Sequence, residues 1–552
     1  MTKRIKTLLL ILLMLVLWLP FYQGLFGGFK EMQLKGAFVK PGQPEFLLDS
    51  FLTCGFQKNW EAYAEYSFGF RGFLVKLKNS IEYVLFKEAV NEDIITGKNG
   101  VLYSYGSAER TIKGRFYNGK EKNLSTINDI KFLKEKTEAR GGHFLAVIIP
   151  SKESVMPEFL PSSYDNAIAL HSDYKDFVEG YAKQNIPCVD LTAYFRKIYK
   201  TSPYTLFTKS GFHWSVYGAS VAQDTILNYC RSLFSKPIPA YARKGIEWSD
   251  TARFADSDFE EPMNLLFSLQ RAPYAYPQLE MISSTLKNYR PKVIVIGDSF
   301  FWQIKNIKLL MRIFSEDSQF WYYFKTSFPI TDANGTEIQN MDVIAEIESA
   351  DIVMLAGSMG TLGDFPFGVT DYYKANHDKP NLLKSLSGLI RNDTVWMKKL
   401  NDSASAGGMP VEKIIHAAAA RIIKEKRTMH LRAFNGKYVC ADGARNDTVL
   451  ANRESPSGWE TFTLLNLGNY KCVISSSANK FFSAELGHQN EITATRAHIA
   501  AWEIFEMIEL GKNEVAFKAA NGKYLSVDEK TLQVFASADS VGKNEKFEMI
   551  MK

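Results

Sequence analysis

Two short segments carry the residue types of a nucleophile and its base. In Pro291-Lys-Val-Ile-Val-Ile-Gly297-Asp298-Ser299-Phe300 a hydrophobic strand runs straight into a Gly-Asp-Ser turn. Such a strand delivers a hydroxyl to the carboxyl edge of an α/β sheet, where open sheets bind ligands. Gly297 permits the tight turn, and a helix expected from Phe301 offers backbone N–H groups to an oxyanion. A serine hydroxyl alone is a weak nucleophile and needs a base within hydrogen-bond reach. Gly, Asp and Ser also form ordinary turns, so this segment by itself reads more readily as a strand–turn–helix junction. The base comes from Ser210-Gly-Phe-His213-Trp214-Ser-Val-Tyr217-Gly218, where a loop enters a helix. Of the eight histidines, His213 has the most specific setting. His416 falls in a helical pattern, His430, His488 and His498 in a repeat near the end of the chain, and His143, His171 and His377 in no local motif. Taken together, Ser299 and His213 favour nucleophilic catalysis.

The elements that must position these residues are legible as pattern. Apolar runs rich in β-branched residues occur at Phe144–Ile149, Lys292–Ile296 and Asp351–Leu355. Helical stretches alternate with them, the signature of buried parallel strands in an α/β sheet. From Asn381 to Lys426 the pattern is helical, with a break at Gly407-Gly408, and the stretch Ile414–Lys426 is expected to close this domain.

Composition bounds the rest. At about 100–200 residues per domain, 552 residues imply two to four folding units. With 46% hydrophobic and 23% charged residues, the chain is neither disordered nor fibrous. A net charge of +6, without a long basic stripe, speaks against nucleic acid as a partner. The five cysteines are scattered with no CxxC pair, so neither a zinc knuckle nor a disulfide scaffold is expected, and no metal site is assigned. Cys440 and Cys472 are expected to be buried free thiols.

The first residues bear on the compartment. Lys3, Arg4 and Lys6 precede an unbroken apolar stretch from Leu8 to Leu19, and no small-x-small cleavage site follows Pro20. This reads as an uncleaved signal anchor over residues 1–29, in preference to a removed signal. Positive charge stays inside, so the bulk of the chain is expected outside the cytoplasm, on a single-pass membrane protein.

The last part of the chain repeats itself. Asn435-Gly-Lys-Tyr438 recurs as Ala478-Asn-Lys-Phe481 and as Asn521-Gly-Lys-Tyr524, each aromatic 43 residues from the last. Trp459-Glu-Thr-Phe462 is matched by Trp502-Glu-Ile-Phe505 and Asn544-Glu-Lys-Phe547. Short alternating runs between turns are strands, and three units are too few for a propeller. The segment 428–552 resembles fascin-like and ricin-type β-trefoils, which implies a β-trefoil and, as such modules often have, carbohydrate binding. Tyr438, Phe481, Tyr524, Trp459 and Trp502 are expected in its core.

Four ordered segments in the preceding block resemble the SGNH-hydrolase-like domain of the alginate O-acetyltransferases AlgJ and AlgX. They are Gly97-Lys-Asn-Gly-Val-Leu-Tyr103, Ile149-Pro-Ser-Lys152 with Pro157-Glu-Phe-Leu-Pro161, His213-Trp214 with Gly218, and Gly297-Asp298-Ser299-Phe300. The resemblance spans roughly Gly97 to Asp364 and implies a three-layer α/β domain, here taken as 30–427. It implies Ser299 as the acylated nucleophile and His213 as general base, with Gly297 and Trp214 as motif support. It also implies a required acetyl donor delivered by a membrane-bound O-acyltransferase partner, no bound cofactor, and a polysaccharide hydroxyl as acceptor.

One departure stands out. The family pattern Asp-x-His-Trp orients the imidazole with an acid two positions before it, and here that position is Gly211 beside Ser210. A carboxylate from elsewhere, a Ser–His dyad, or lost activity are the alternatives. Asp298 is a possible acid but more often structural in its motif, and Asp351 and Asp364 are further candidates. Lys152 reads as a surface lysine at a helix start rather than a substrate ligand. The implied function is extracytoplasmic polysaccharide O-acetylation. The alternatives are a carbohydrate acetylesterase and a non-catalytic glycan-binding or assembly protein.

Overall fold

The computed structural model describes residues 3–552 apart from 37–39, 88, 90, 166, 168–170, 271, 283–288, 379–381, 408–410, 488 and 512. His488, Asn381 and Gly408 therefore lie outside the described residues. Two compact units divide the chain. The first comprises Met1–Lys131, Leu145–Glu337 and Met354–Gly368; the second comprises Phe132–Phe144, Ile338–Val353 and Val369–Lys552.

The chain opens with helices α1 (Lys3–Phe26), α2 (Leu48–Leu52), α3 (Gly55–Ser67) and α4 (Arg71–Phe86). Among the described residues, one helix is long and apolar enough to cross a bilayer, over Arg4–Phe26.

A seven-stranded sheet carries the site. Its strands are β1 (His143–Ile149), β2 (Cys188–Asp190), β3 (Val293–Gly297), β4 (Gln319–Tyr322), β5 (Thr326–Pro329), β6 (Thr336–Glu337) and β7 (Ile352–Ser358). They lie in the order β6-β5-β4-β3-β7-β1-β2. All of β3 and β7, and all of β1 but His143, are buried. A strand covered on both faces has no polar side to show, which is why these three read as unbroken apolar runs. Pairing is parallel between β1 and β2, with Ala146 opposite Cys188, and between β3 and β4, with Ile294 opposite Gln319. At the other edge β5 runs antiparallel to β4, and β6 to β5. Only residues 323–325 separate β4 from β5, too few for the crossover that a parallel partner needs.

Helices Leu382–Asn392, Thr394–Gly407 and Val411–Lys424 belong to the second unit, as does a closed β-barrel. Six strands pair antiparallel around a ring: Arg427–Ala433, Phe462–Gly468, Lys471–Ser476, Phe505–Gly511, Glu514–Lys518 and Phe547–Met551. Three hairpins complete it, one per sequence repeat, at 438–453, 481–496 and 524–538. Phe462, Phe505 and Phe547 fill the middle of its apolar core.

Two of the tryptophans expected in that core are outside it. Trp459 is 46% and Trp502 38% exposed, and Phe481 is buried. The strand alternation places Phe462 and Phe505 inward, and the preceding tryptophans fall in the turns that lead into those strands. The side chain of Arg453 instead lies over the Trp459 ring. Cys440 and Cys472 are free and buried.

Candidate active site

Ser299 lies two residues past the end of β3, and its hydroxyl is 2.8 Å from Nε2 of His213. Gly297 brings this strand end close to β7: a Cβ there would sit 2.8 Å from the Ala356 carbonyl oxygen. His213 stands two residues before the Ser215 N-cap, whose side chain accepts from Gly218 N–H at the start of helix Val216–Ser232. Trp214, fully buried, donates its indole N–H to the Phe300 carbonyl at 3.1 Å. The His213 loop and the Ser299 turn are thereby fastened together. The Phe300 ring packs on the imidazole at 4.6 Å between centroids.

The second ring nitrogen of His213 answers the question raised by Gly211. Nδ1 lies 2.6 Å from a carboxylate oxygen of Asp258, whose other oxygen accepts the Phe212 N–H at 2.6 Å. The Ser299 hydroxyl, the imidazole and the Asp258 carboxylate thus form a hydrogen-bonded line. The Asp258 loop is docked by Phe259 N–H and Glu260 N–H, which both donate to the Ser210 carbonyl. Gly211 explains why the acid is not in its usual place. A Cβ at 211 would lie 2.7 Å from the Ala255 carbonyl oxygen and 3.0 Å from that of Asp256. The space a residue-211 side chain needs is occupied by the loop that brings Asp258.

The other expected acids do different work. Asp298 is fully buried; its carboxylate accepts from Phe300 N–H at 3.0 Å, Ser358 N–H at 2.7 Å and the Thr361 hydroxyl at 2.7 Å. It ties the Ser299 turn to the end of β7. Asp351 and Asp364 do not orient the imidazole, since that position belongs to Asp258. Lys152, expected at the surface, is 1% exposed. Its ammonium donates to the carbonyls of Leu102 at 2.9 Å, Lys209 at 3.4 Å and, more closely, Gly211. A lysine that clamps the backbone beneath the His213 loop must sacrifice hydration, and burial pushes its pKa down to about 7 against the pull of Asp258.

Two further residues escaped the sequence reading. Asp256 is buried, accepts from Val216 N–H at 3.1 Å, and has its pKa pushed up to about 7 by that burial. Tyr323 follows β4 with a left-handed φ of 51°, and its N–H donates to the Gly297 carbonyl at 2.9 Å. Burial raises the pKa of Tyr323, with Ser299 pulling it the other way. The doublet Tyr322-Tyr323 in an aromatic run held no signal for this placement. Asp258 had a faint one, the acidic cluster Asp256-Ser-Asp258-Phe-Glu260-Glu261 in an otherwise loop-like stretch.

Residues 95–300 match the family model described as "SGNH hydrolase-like domain, acetyltransferase AlgX". This segment is an SGNH-hydrolase-like domain of the acetyltransferase type. The SGNH-like segment contains every member of the Ser299–His213–Asp258 line. Residues 468–552 match a second model, described as a domain of unknown function, DUF7910. No curated protein matches the chain. Among solved structures, the O-acetyltransferase domain of Pseudomonas putida AlgJ is similar over 49% of this chain and 92% of that one, at 15% identity and a TM-score of 0.33. ThreeFoil, a designed protein of threefold symmetry, is similar over 22% of this chain and 97% of that one, at 17% identity and a TM-score of 0.21.

Proposed function

We propose that the chain is a polysaccharide O-acetyltransferase acting through an acetyl-serine intermediate outside the cytoplasm. The observation that carries this reading is the Ser299–His213–Asp258 line, at 2.8 and 2.6 Å, inside the segment that matches the AlgX model. In the first half-reaction His213 Nε2 takes the Ser299 proton as Oγ attacks the carbonyl carbon of an acetyl ester. The tetrahedral oxyanion is stabilised by the Ser299 N–H. Its collapse breaks the ester bond, and the imidazolium returns the proton to the leaving alkoxide. In the second half a sugar hydroxyl attacks acetyl-Ser299, loses its proton to His213, and Ser299 leaves as the protonated alcohol. Asp258 holds the imidazole in one tautomer and steadies its charged form.

The acetyl donor is supplied by a membrane-bound O-acyltransferase partner, the helix α1 anchors the chain, and no bound cofactor is required. The closed barrel with its three hairpins is read as a β-trefoil that binds the glycan as a tethered module, raising local acceptor concentration. Water in place of sugar makes the same machinery an acetylesterase. Acetyl transfer from a chromogenic acetyl ester to an oligosaccharide, set against release of free acetate, separates the two. Acetylated sugar as the main product is expected; acetate alone sinks the transferase reading. The non-catalytic reading rested on Gly211 and loses that support once Asp258 occupies the acid's place.

A further inference from the structure

Helix α4 is built inside out. Its buried residues are Gly72, Asn79, Ser80 and Tyr83, largely small or polar, and they serve the domain beneath. Asn79 donates to the Met263 carbonyl and Ser80 accepts from Leu266 N–H, both at 2.8 Å. The face turned outward carries Phe73, Leu74, Ile81, Val84, Leu85 and Phe86, the last three 53%, 66% and 65% exposed. Helices α2 and α3 bury no residue at all. They expose Leu48, Phe51, Leu52 and Trp60, with Phe46 and Leu47 just before them. Phe46, Phe51, Phe56 and Trp60 touch ring to ring along this surface. An apolar patch of this extent facing water is costly, and on a water-soluble surface helix the polarity of α4 would be reversed.

The contacts of this segment say what covers it. Gly69, between α3 and α4, presses on α1 near its carboxyl end: a Cβ there would lie 2.1 Å from the Pro20 carbonyl oxygen and 2.6 Å from the Gly24 nitrogen. The Gln23 side chain donates to the Phe29 carbonyl at 2.6 Å and accepts from Phe29 N–H at 2.9 Å, so the chain folds back as it leaves α1. Glu31 accepts from Phe70 N–H at 2.5 Å. At this level a polar cavity of about 590 Å³ is lined by Gln23, Glu31, Lys40, Tyr66 and Arg71, among others. Basic side chains Arg71, Lys76, Lys78 and Lys87 accompany the apolar face of α4 and its end. Apolar faces, interfacial aromatics and basic residues, joined to the end of a spanning helix, are the requirements of the headgroup–acyl boundary.

We propose that residues 46–86 form a collar lying in the bilayer interface around the end of α1, with the outward faces of α2, α3 and α4 in lipid. This rests on the reading of α1 as a membrane span. The collar also orients the site. Lys35 and Asn264 exchange two hydrogen bonds, at 2.8 and 3.0 Å, and Asn79 holds Met263, so the stretch following Asp258 is fastened to the membrane-proximal segment. The SGNH-like domain is thereby held close against the membrane that supplies its acetyl donor, rather than swinging on a loose tether.

Cys54, exposed in the turn between α2 and α3, is the natural reporter. Cys230, Cys440 and Cys472 are buried and Cys188 is partly so, hence a Cys188→Ser background directs a maleimide to Cys54. The full chain, carrying an environment-sensitive fluorophore there, is reconstituted in phosphatidylcholine–phosphatidylglycerol vesicles with or without doxyl-labelled lipid. Alkaline carbonate extraction of the same vesicles reads the span separately. The proposal expects blue-shifted emission, quenched by shallow doxyl groups, and quenching roughly halved in L48S/L52S/L85S. Resistance to extraction with water-like, unquenched emission overturns the collar and leaves the span intact. Quenching at neutral pH with release by carbonate overturns the span, and with it a collar around the span's end, and leaves residues 46–86 as a peripheral interfacial segment. Release without quenching overturns both. A label that lipid leaves exposed and only a co-reconstituted membrane acyltransferase shields overturns the lipid assignment in favour of a protein occupant.

Discussion

The candidate site and the C-terminal barrel use acidic residues in opposite ways. In the barrel, equivalent glutamates do one job three times. Glu460 accepts from Ser457 N–H at 2.8 Å, Glu503 from Ala500 N–H at 2.7 Å and Glu545 from Gly542 N–H at 2.7 Å, always three residues back. In the site, position in sequence says little about duty. Asp298, next to Ser299, braces the backbone, whereas Asp258, 45 residues beyond His213, holds the imidazole. A repeat fixes the role of an acid because its partner is local. The Ser299–His213–Asp258 line fixes only a geometry, which any loop that reaches it can supply.

The largest effect comes from breaking the line at its reacting end. Ser299→Ala or His213→Ala is expected to lower acetyl transfer by about 10⁴-fold or more with the fold unchanged. Covalent labelling by a serine-directed sulfonyl fluoride should vanish in S299A. Transfer that survives either change within about tenfold would remove these residues from the chemistry.

The two aspartates then separate by the kind of damage. Asp258→Asn keeps the size of the side chain but can leave the imidazole in the wrong tautomer, and kcat is expected to fall about 10³–10⁴-fold with little change in Tm. Asp298→Ala strands two buried backbone donors, those of Phe300 and Ser358, while the Thr361 hydroxyl keeps the Ser358 carbonyl at 3.1 Å. At about 1–3 kcal/mol for each buried group left unpaired, it should cost stability and yield first. If D258N loses Tm while D298A folds normally and is inactive, the two roles are exchanged.

Much of this was legible in residue order. The apolar runs of β1, β3 and β7 marked the sheet because both faces of those strands are covered. The strand entering Gly297-Asp298-Ser299 placed the hydroxyl, and His213-Trp214 entered a helix through a Ser cap. Asp258 was not legible, since nothing local to it depends on the imidazole it contacts. Lys152 misled for a similar reason: a helix-start lysine is ordinarily solvated, and only the fold brings three carbonyls around it. Trp459 and Trp502 misled differently. Their regular recurrence reflected turns leading into core strands, and the phenylalanines three positions on were the core residues.

A smaller effect sharpens the contrast through pH. Asp256 has its pKa pushed up to about 7 by burial, with the hydrogen bonds from Tyr276 and Val216 opposing. The unfolded chain releases that proton near pH 3.9. Between these values the native state holds more protons, so the contribution of Asp256 is full below about pH 4 and is lost as pH rises toward 7. Urea unfolding of the wild type compared with Asp256→Asn should therefore show a difference that changes across this window, with D256N lacking the loss. Parallel pH dependences in the two proteins would mean that Asp256 titrates as an ordinary solvated carboxyl.

The smallest effects test the barrel side of the comparison. Glu460, Glu503 and Glu545 are each buried, and each closes a turn that delivers Phe462, Phe505 or Phe547 to the core. Replacing any one by Ala removes a charge-assisted bond to a backbone N–H, expected to cost about 1–3 kcal/mol in the unfolding transition of the second unit. Gln keeps an acceptor oxygen at the same reach and should recover part of that loss. The lobes are not fully equivalent, because Glu460 also lies 3.5 Å from Arg453, while Glu545 accepts from the Ser526 hydroxyl at 2.6 Å. An added Arg453→Ala should therefore cost less in E460A than in the wild type, because one contact of Arg453 is already gone, whereas in E545A it should cost as much as in the wild type. Equal responses would show that Glu460 and Arg453 are energetically independent despite their 3.5 Å contact.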